Sequence, residues 1–251
     1  MDELAARLAQ IPGVVAVAMG GSRVLGEARP DSDWDFGIYY QDSFDWQRIQ
    51  ALGHLGTVSA PGAWGRLMNG GAWLMVEGQR VDLLYRDIRV VEYWTEEAEQ
   101  GRFEVDAVPG YLSGMPTYAL MAELALNRFL YGAGPAPSYP EALRVTAPPA
   151  WRSRAALSLS VAEQMAERDQ PLECGGMLAA AAHAAAQAIL AERAEWTLNE
   201  RRQLQRAGLA EAAVVLRAVG TNVEELRWSV SRMRQYLGIR RSQTLAFDQP
   251  G

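Results

Sequence analysis

The segment Met19–Tyr40 reads MGGSRVLGEARPDSDWDFGIYY, and its two ends decide how the first half of the chain is read. Upstream, the apolar run Val14–Met19 breaks at Gly20-Gly21-Ser22. Downstream, Trp34–Tyr40 is rich in aromatic and branched residues, so two neighbouring strands are expected. Paired glycines let the backbone approach a phosphate closely. A helix beginning there aims free N–H groups at the anion, with the Ser22 hydroxyl as a further donor. Gly20, Gly21 and Ser22 are therefore candidate triphosphate contacts. Asp33 and Asp35 sit two residues apart at the start of the second strand, so their side chains share one face while Trp34 turns to the other. Two carboxylates on one face suit magnesium, which orients a triphosphate and stabilises the attacking and leaving oxygens of an in-line displacement.

Working outward, a third acid stands in Val81-Asp82-Leu83-Leu84. An Asp among such neighbours is costly unless it is paired or metal-bound. It faces the same cleft if its strand lies beside the first two, which makes Asp33, Asp35 and Asp82 the expected metal set. Between these motifs the sequence predicts a helical segment over Phe44–Leu55 and a glycine-rich loop, APGAWGRLMNGG. A hairpin follows, made of Trp73–Val76 and Arg80–Tyr85 joined across Glu77-Gly78-Gln79. In the loop, Trp64 or Asn69 is placed either against a base or acceptor ring or as a structural anchor.

From about Thr117 the texture changes to helix formers with apolar residues three and four apart, as in YALMAELALNRFLYG, and strand signals largely cease. Breaks at Gly132–Pro140, Ala147-Pro148-Pro149, Asp169–Pro171, Gly208 and Gly220 predict five or six helices. The fold class expected is α+β: a small mixed-sheet domain over residues 1–115 followed by an all-α bundle over 116–251.

The net charge of −6 argues against a surface that blankets long nucleic acid, which needs many cations to neutralise phosphates. The densest basic cluster is Arg232, Arg234, Arg240 and Arg241. All 24 basic residues are Arg, so phosphate contacts fall to Arg23, Arg80 and Arg86, whose planar forks suit phosphate oxygens. The lone Cys174 forms no internal disulfide, and a reducing cytoplasm is the expected location. The N-terminal MDELAARLAQIPG is amphipathic and acidic, unlike a secretory signal. The apolar run Met177–Ala191 is shorter than the ~20 residues of a membrane span, so no membrane association is expected. His54 and His183 lack a metal or triad partner nearby in sequence. Thr197-x-x-Glu200 and Thr221-x-x-Glu224 read as helix capping boxes.

A Gly-Ser turn, about ten residues, Asp-x-Asp, and a later strand with a third Asp together resemble the signature of polymerase beta-like nucleotidyltransferases. GGS, SDWD, WGRLMNGGAWL and RVDLLYRD look like a bacterial branch related to aminoglycoside and lincosamide nucleotidyltransferases. The resemblance covers residues 14 to 130 well and the helical half loosely. It implies a mixed sheet with helices on one face, then a helical domain that closes over an acceptor. Antibiotic-modifying relatives often use a carboxylate as general base at the domain junction, and Glu123, on a helix expected over Thr117–Leu130, is the candidate; Glu104 is a weaker one.

The function expected is magnesium-dependent transfer of a nucleoside monophosphate, AMP from ATP first, to a hydroxyl of a small molecule such as an aminoglycoside, releasing pyrophosphate. An acidic protein favours a cationic acceptor. Transfer to a protein or a tRNA end, and a non-catalytic nucleotide-binding module, are the alternatives. The sequence is compatible with a monomer or a homodimer.

Overall fold

The computed structural model describes residues 1–240. Eight strands are present among them: β1 (Val14–Gly20), β2 (Trp34–Tyr40), β3 (Leu55–Val58), β4 (Gly71–Val76), β5 (Gln79–Asp87), β6 (Val105–Asp106), β7 (Met115–Pro116) and β8 (Arg128–Tyr131). Eleven helices accompany them: α1 (Asp2–Ala9), α2 (Gly21–Val24), α3 (Gln47–Gln50), α4 (Gly65–Met68), α5 (Ile88–Glu99), α6 (Ala119–Leu126), α7 (Glu141–Glu167), α8 (Pro171–Glu192), α9 (Gln203–Arg206), α10 (Ala212–Arg217) and α11 (Val223–Leu237). The α+β expectation holds, with a mixed sheet in the N-terminal part and helices in the C-terminal part.

Six strands form one sheet in the order β3-β4-β5-β2-β1-β8. Only β2 and β5 run parallel; the other neighbours are antiparallel. Alternation along the strands sorts side chains to two faces. Val17, Met19, Phe36, Ile38, Tyr40, Val81, Leu83 and Tyr85 are buried in one core with Leu4, Ala5 and Leu8 of α1. The opposite face carries Asp35, Tyr39, Asp82 and Arg86, so burying one face presents the polar residues of the central strands on the other.

The chain divides into two compact units, Met1–Val108 with Pro116–Ala142, and Pro109–Met115 with the residues from Leu143 onward. This differs from a boundary at 115/116, because β8 pairs with β1 and so ties Pro116–Ala142 to the sheet. The helix expected over Thr117–Leu130 accordingly ends at Leu126, and Arg128–Tyr131 is a strand. Two further expectations are corrected in the first unit. Phe44–Leu55 holds only the single turn α3, and Leu55–Val58 is a strand whose first three residues are exposed, leaving no burial pattern to read.

In the second unit, α7 continues through Pro148 and Pro149, where a break was expected. Two prolines remove two backbone donors from a helix interior. The buried stripe Leu143, Ala147, Trp151, Ala155, Leu159, Ala162 and Ala166 spans both sides of the pair, and its packing overrides the local preference. Helix α8 is 22 residues long, more than the apolar run suggested, and by length and composition it is long and apolar enough to cross a membrane. Its residues Cys174, Leu178, Ala181 and Ala182 are buried with Leu159, Ala162 and Ala166 of α7 and with Leu226, Val230 and Met233 of α11, as in a core helix.

Neither capping box forms as read. No helix starts at Thr197. Glu200 instead accepts hydrogen bonds from the backbone N–H groups of Leu112 and Ser113 and from the Ser113 hydroxyl, at 2.7–2.8 Å. At α11 the cap is Asn222, whose side chain accepts from the Glu225 N–H at 3.1 Å, while the Glu225 carboxylate accepts from Thr221 N–H. The bond from the Thr221 backbone holds the Glu225 carboxyl below the usual range, so acidification weakens this cap. Asn222→Ala is expected to cost about 1 kcal/mol of stability, read as a lowered urea midpoint at unchanged slope.

Candidate functional site

The central geometry is a register. Gly20 of β1 lies opposite Asp35 of β2, and Asp35 lies opposite Asp82 of β5, so the glycine turn and two carboxylates stand in one row across three adjacent strands. Adjacent strands lie ~4.8 Å apart, which brings the two acids side by side on one face.

The turn is shaped to this row. Gly21 has φ of +67°, and a Cβ there would lie 1.8 Å from Oδ2 of Asp35. The backbone is thus pressed against the carboxylate, and only glycine satisfies both the dihedral and the contact. Gly20 is crowded from the other side: its Cβ would lie 2.5 Å from Oδ1 of Asn127, the residue that ends α6. Ser22 follows in the first turn of α2. Gly21→Ala is therefore expected to displace Asp35 or the turn. Any nucleotide-dependent activity should fall by about two orders of magnitude, and Gly26→Ala, where a Cβ meets nothing, serves as the control for left-handed strain alone.

Asp33 stands apart from the row. Its carboxylate pairs with Arg80 at 2.5 Å, with a backbone carbonyl of the same loop, Asp31, also taken by Arg80 at 3.1 Å. Arg23 donates to the carbonyls of Ser32 at 2.6 Å and Asp33 at 3.2 Å, and its guanidinium lies 4.1 Å from the Trp34 ring centroid. Trp34 in turn donates to Gln79. Arg23 and Arg80 thus brace the loop that delivers Asp33, roles the sequence did not suggest. Among the described residues, no group of three or more His, Cys, Asp or Glu is arranged to hold a metal. The Asp33 carboxylate is paired with Arg80, and Asp35 and Asp82 stand side by side in the register. The Asp35 and Asp82 pair fits magnesium, which is commonly held by one or two carboxylates together with substrate phosphates rather than by an all-protein cage.

Arg86 and Glu123 are brought together in a buried ion pair. Arg86 is 1% exposed, and its donors are spent inside the protein: on both carboxylate oxygens of Glu123 at 2.6 and 2.7 Å, and on the carbonyls of Tyr85 and Met68 at 2.9 and 3.1 Å. A buried, bidentate guanidinium does not reach out to a triphosphate. Both carboxylate oxygens of Glu123, the general-base candidate, accept from Arg86. Glu104, the other candidate, pairs with Arg66 at 2.6 Å. Tyr39 shares the acid-bearing face, and burial pushes its phenol well above the usual range, with Glu123 adding to the shift. Asn127 and Tyr39 are the side chains that sequence reading underweights. Asn127 carries no local signal beyond ending a helix, and Tyr39 reads as one more aromatic in a strand.

Residues 1–106 match the family model of the nucleotidyltransferase domain. The matched segment contains the glycine turn, Asp33, Asp35 and Asp82, so the nucleotidyltransferase resemblance drawn from those residues holds. No curated protein matches the sequence. Among solved structures, a nucleotidyltransferase-like protein from Exiguobacterium sibiricum is similar at 9% identity, covering 94% of this chain and 71% of its own, with a TM-score of 0.44. A spectinomycin adenyltransferase from Enterococcus faecialis, solved with ATP and spectinomycin, is similar at 12% identity over 94% of this chain and 98% of its own, with a TM-score of 0.38. The acid pair lies within the segment the family model covers, whereas Glu123 and Asn127 lie beyond it.

Proposed function

We propose that the chain transfers a nucleoside monophosphate from a magnesium-bound nucleoside triphosphate, ATP first, to a hydroxyl of a small cationic molecule. The observation that carries this reading is the row Gly20, Asp35, Asp82, with Gly21 packed on the Asp35 carboxylate. Asp35 and Asp82 would hold the metal; when bound, it neutralises the triphosphate and the charge that develops on the leaving oxygen. Asp33, now paired with Arg80, would be a further carboxylate available to the metal. The Gly20–Ser22 turn supplies N–H groups and a hydroxyl to the phosphate oxygens.

In the reaction, the acceptor oxygen attacks the α-phosphorus, the bond to the bridging oxygen breaks, and pyrophosphate departs with the electron pair. The acceptor's proton is lost to a general base. The excess of acidic residues, net −6, supports a cationic acceptor and weighs against a nucleic acid one.

The test is magnesium-dependent pyrophosphate release from each of the four triphosphates, with and without a panel of aminoglycosides and lincosamides. Release that needs both metal and one acceptor class is the expected result. Nucleotide bound tightly with no release across the panel would instead move the acceptor to another chemical class, and absence of nucleotide binding would overturn transfer altogether.

A further inference from the structure

We propose that the first unit holds a second small-molecule site, at the far end of β5 from the acid pair, which takes an uncharged, largely apolar ring compound bearing a hydrogen-bond acceptor. The site is a cavity of about 350 Å³ walled by Leu67, Val90, Val91 and Leu120, with Tyr40, Asn69, Tyr85, Arg86 and Asp87 also lining it. Asp87 is five residues beyond Asp82 on β5, ~16 Å along the strand, so this cavity is distinct from the row of acids. Its size lies at the lower end of the range for ligand pockets, and its combination of apolar walls with a few polar groups is what such pockets share.

Two phenols supply the polar recognition. Tyr85 is fully buried, and its hydroxyl has no hydrogen-bond partner within the protein. A phenylalanine would fill the same space without stranding a polar group, an omission that costs about 1–3 kcal/mol. Tyr40 is 5% exposed; its oxygen accepts from Asn69 Nδ2 at 2.8 Å, which leaves the O–H proton to donate. Asn69 itself is held at φ of +61°, with its Oδ1 accepting from Gly62 N–H at 2.7 Å. A non-glycine residue in the left-handed region persists only where its surroundings fix it, and here they fix the amide against Tyr40.

Charge on the walls is already neutralised in place, which sets the ligand class. Arg86 is paired with Glu123, Asp87 with Arg89, and Arg66 with both Glu104 and Asp106. An ion entering the cavity would shed its water and find no unpaired counter-charge, whereas a neutral ring meets aliphatic walls and a donor hydroxyl.

The probe is 2-quinolone, an uncharged bicyclic lactam, with naphthalene-2-sulfonate as its charged counterpart, both observed by saturation-transfer NMR on the full chain and titrated calorimetrically. Saturable binding of the lactam and not of the sulfonate is expected. Tyr85→Phe and Tyr40→Phe should each weaken it about fivefold, as loss of one hydrogen bond predicts. Val90→Trp, at a half-exposed wall position, should abolish it, with circular dichroism confirming that the variant is folded. Absence of transfer from millimolar lactam to the folded wild type, equal binding of the sulfonate, or binding untouched by Val90→Trp would overturn the site. None of these readouts involves nucleotide transfer, so they stand or fall apart from the proposed activity.

Discussion

Asp35→Asn is expected to lower magnesium-dependent nucleotidyl transfer by about 1,000-fold, equivalent to ~4 kcal/mol of barrier, while leaving the unfolding temperature nearly unchanged. Asp82→Asn should do the same, because the two carboxylates are register partners on adjacent parallel strands and, on the proposed function, would hold one ion together. Their effects should not multiply: once either oxygen donor is gone the ion is already misplaced, so the double variant should be little worse than either single one. Steady-state rates of pyrophosphate release for the three variants, beside thermal unfolding, check this. Activity retained within about tenfold in either single variant would remove the acid pair from the chemistry.

Arg86→Met is expected to destabilise the protein by about 3–5 kcal/mol, because it leaves the Glu123 carboxylate without the guanidinium that binds both of its oxygens in a buried setting. Arg86→Met combined with Glu123→Met should recover most of that loss, since removing both partners leaves no stranded charge. Denaturant unfolding of the wild type, both single variants and the double variant closes the cycle. A cost under about 1 kcal/mol for Arg86→Met would mean that Glu123 does not depend on the pair.

The parts of the fold that were legible in the sequence are those whose pattern is set locally. β1, β2 and the β4–β5 hairpin follow from apolar runs bounded by glycine turns. Elements set by distant partners were not legible. β3 is four residues long and almost wholly exposed, β8 is recognised only by pairing with β1, and α7 runs through two prolines because a stripe of buried residues from Leu143 to Ala166 holds it. In the site, residue types were readable but their pairings were not. Nothing near Arg86 in sequence shows that Glu123, 37 positions away, claims its fork, and nothing near Asp33 shows that Arg80 faces it. Glu200 illustrates the same limit: its spacing from Thr197 suggests a cap, yet the Leu112–Ser113 backbone takes its carboxylate.

The central claim, that the Gly20, Asp35, Asp82 row binds a metal-bound triphosphate, is tested most directly by calorimetric titration of α,β-methylene ATP into the wild type and into the Asp35→Asn, Asp82→Asn double variant, with and without magnesium. One binding event per chain that requires magnesium in the wild type and disappears in the double variant is the predicted result. Binding of equal strength in the two proteins, or binding indifferent to magnesium, would contradict it.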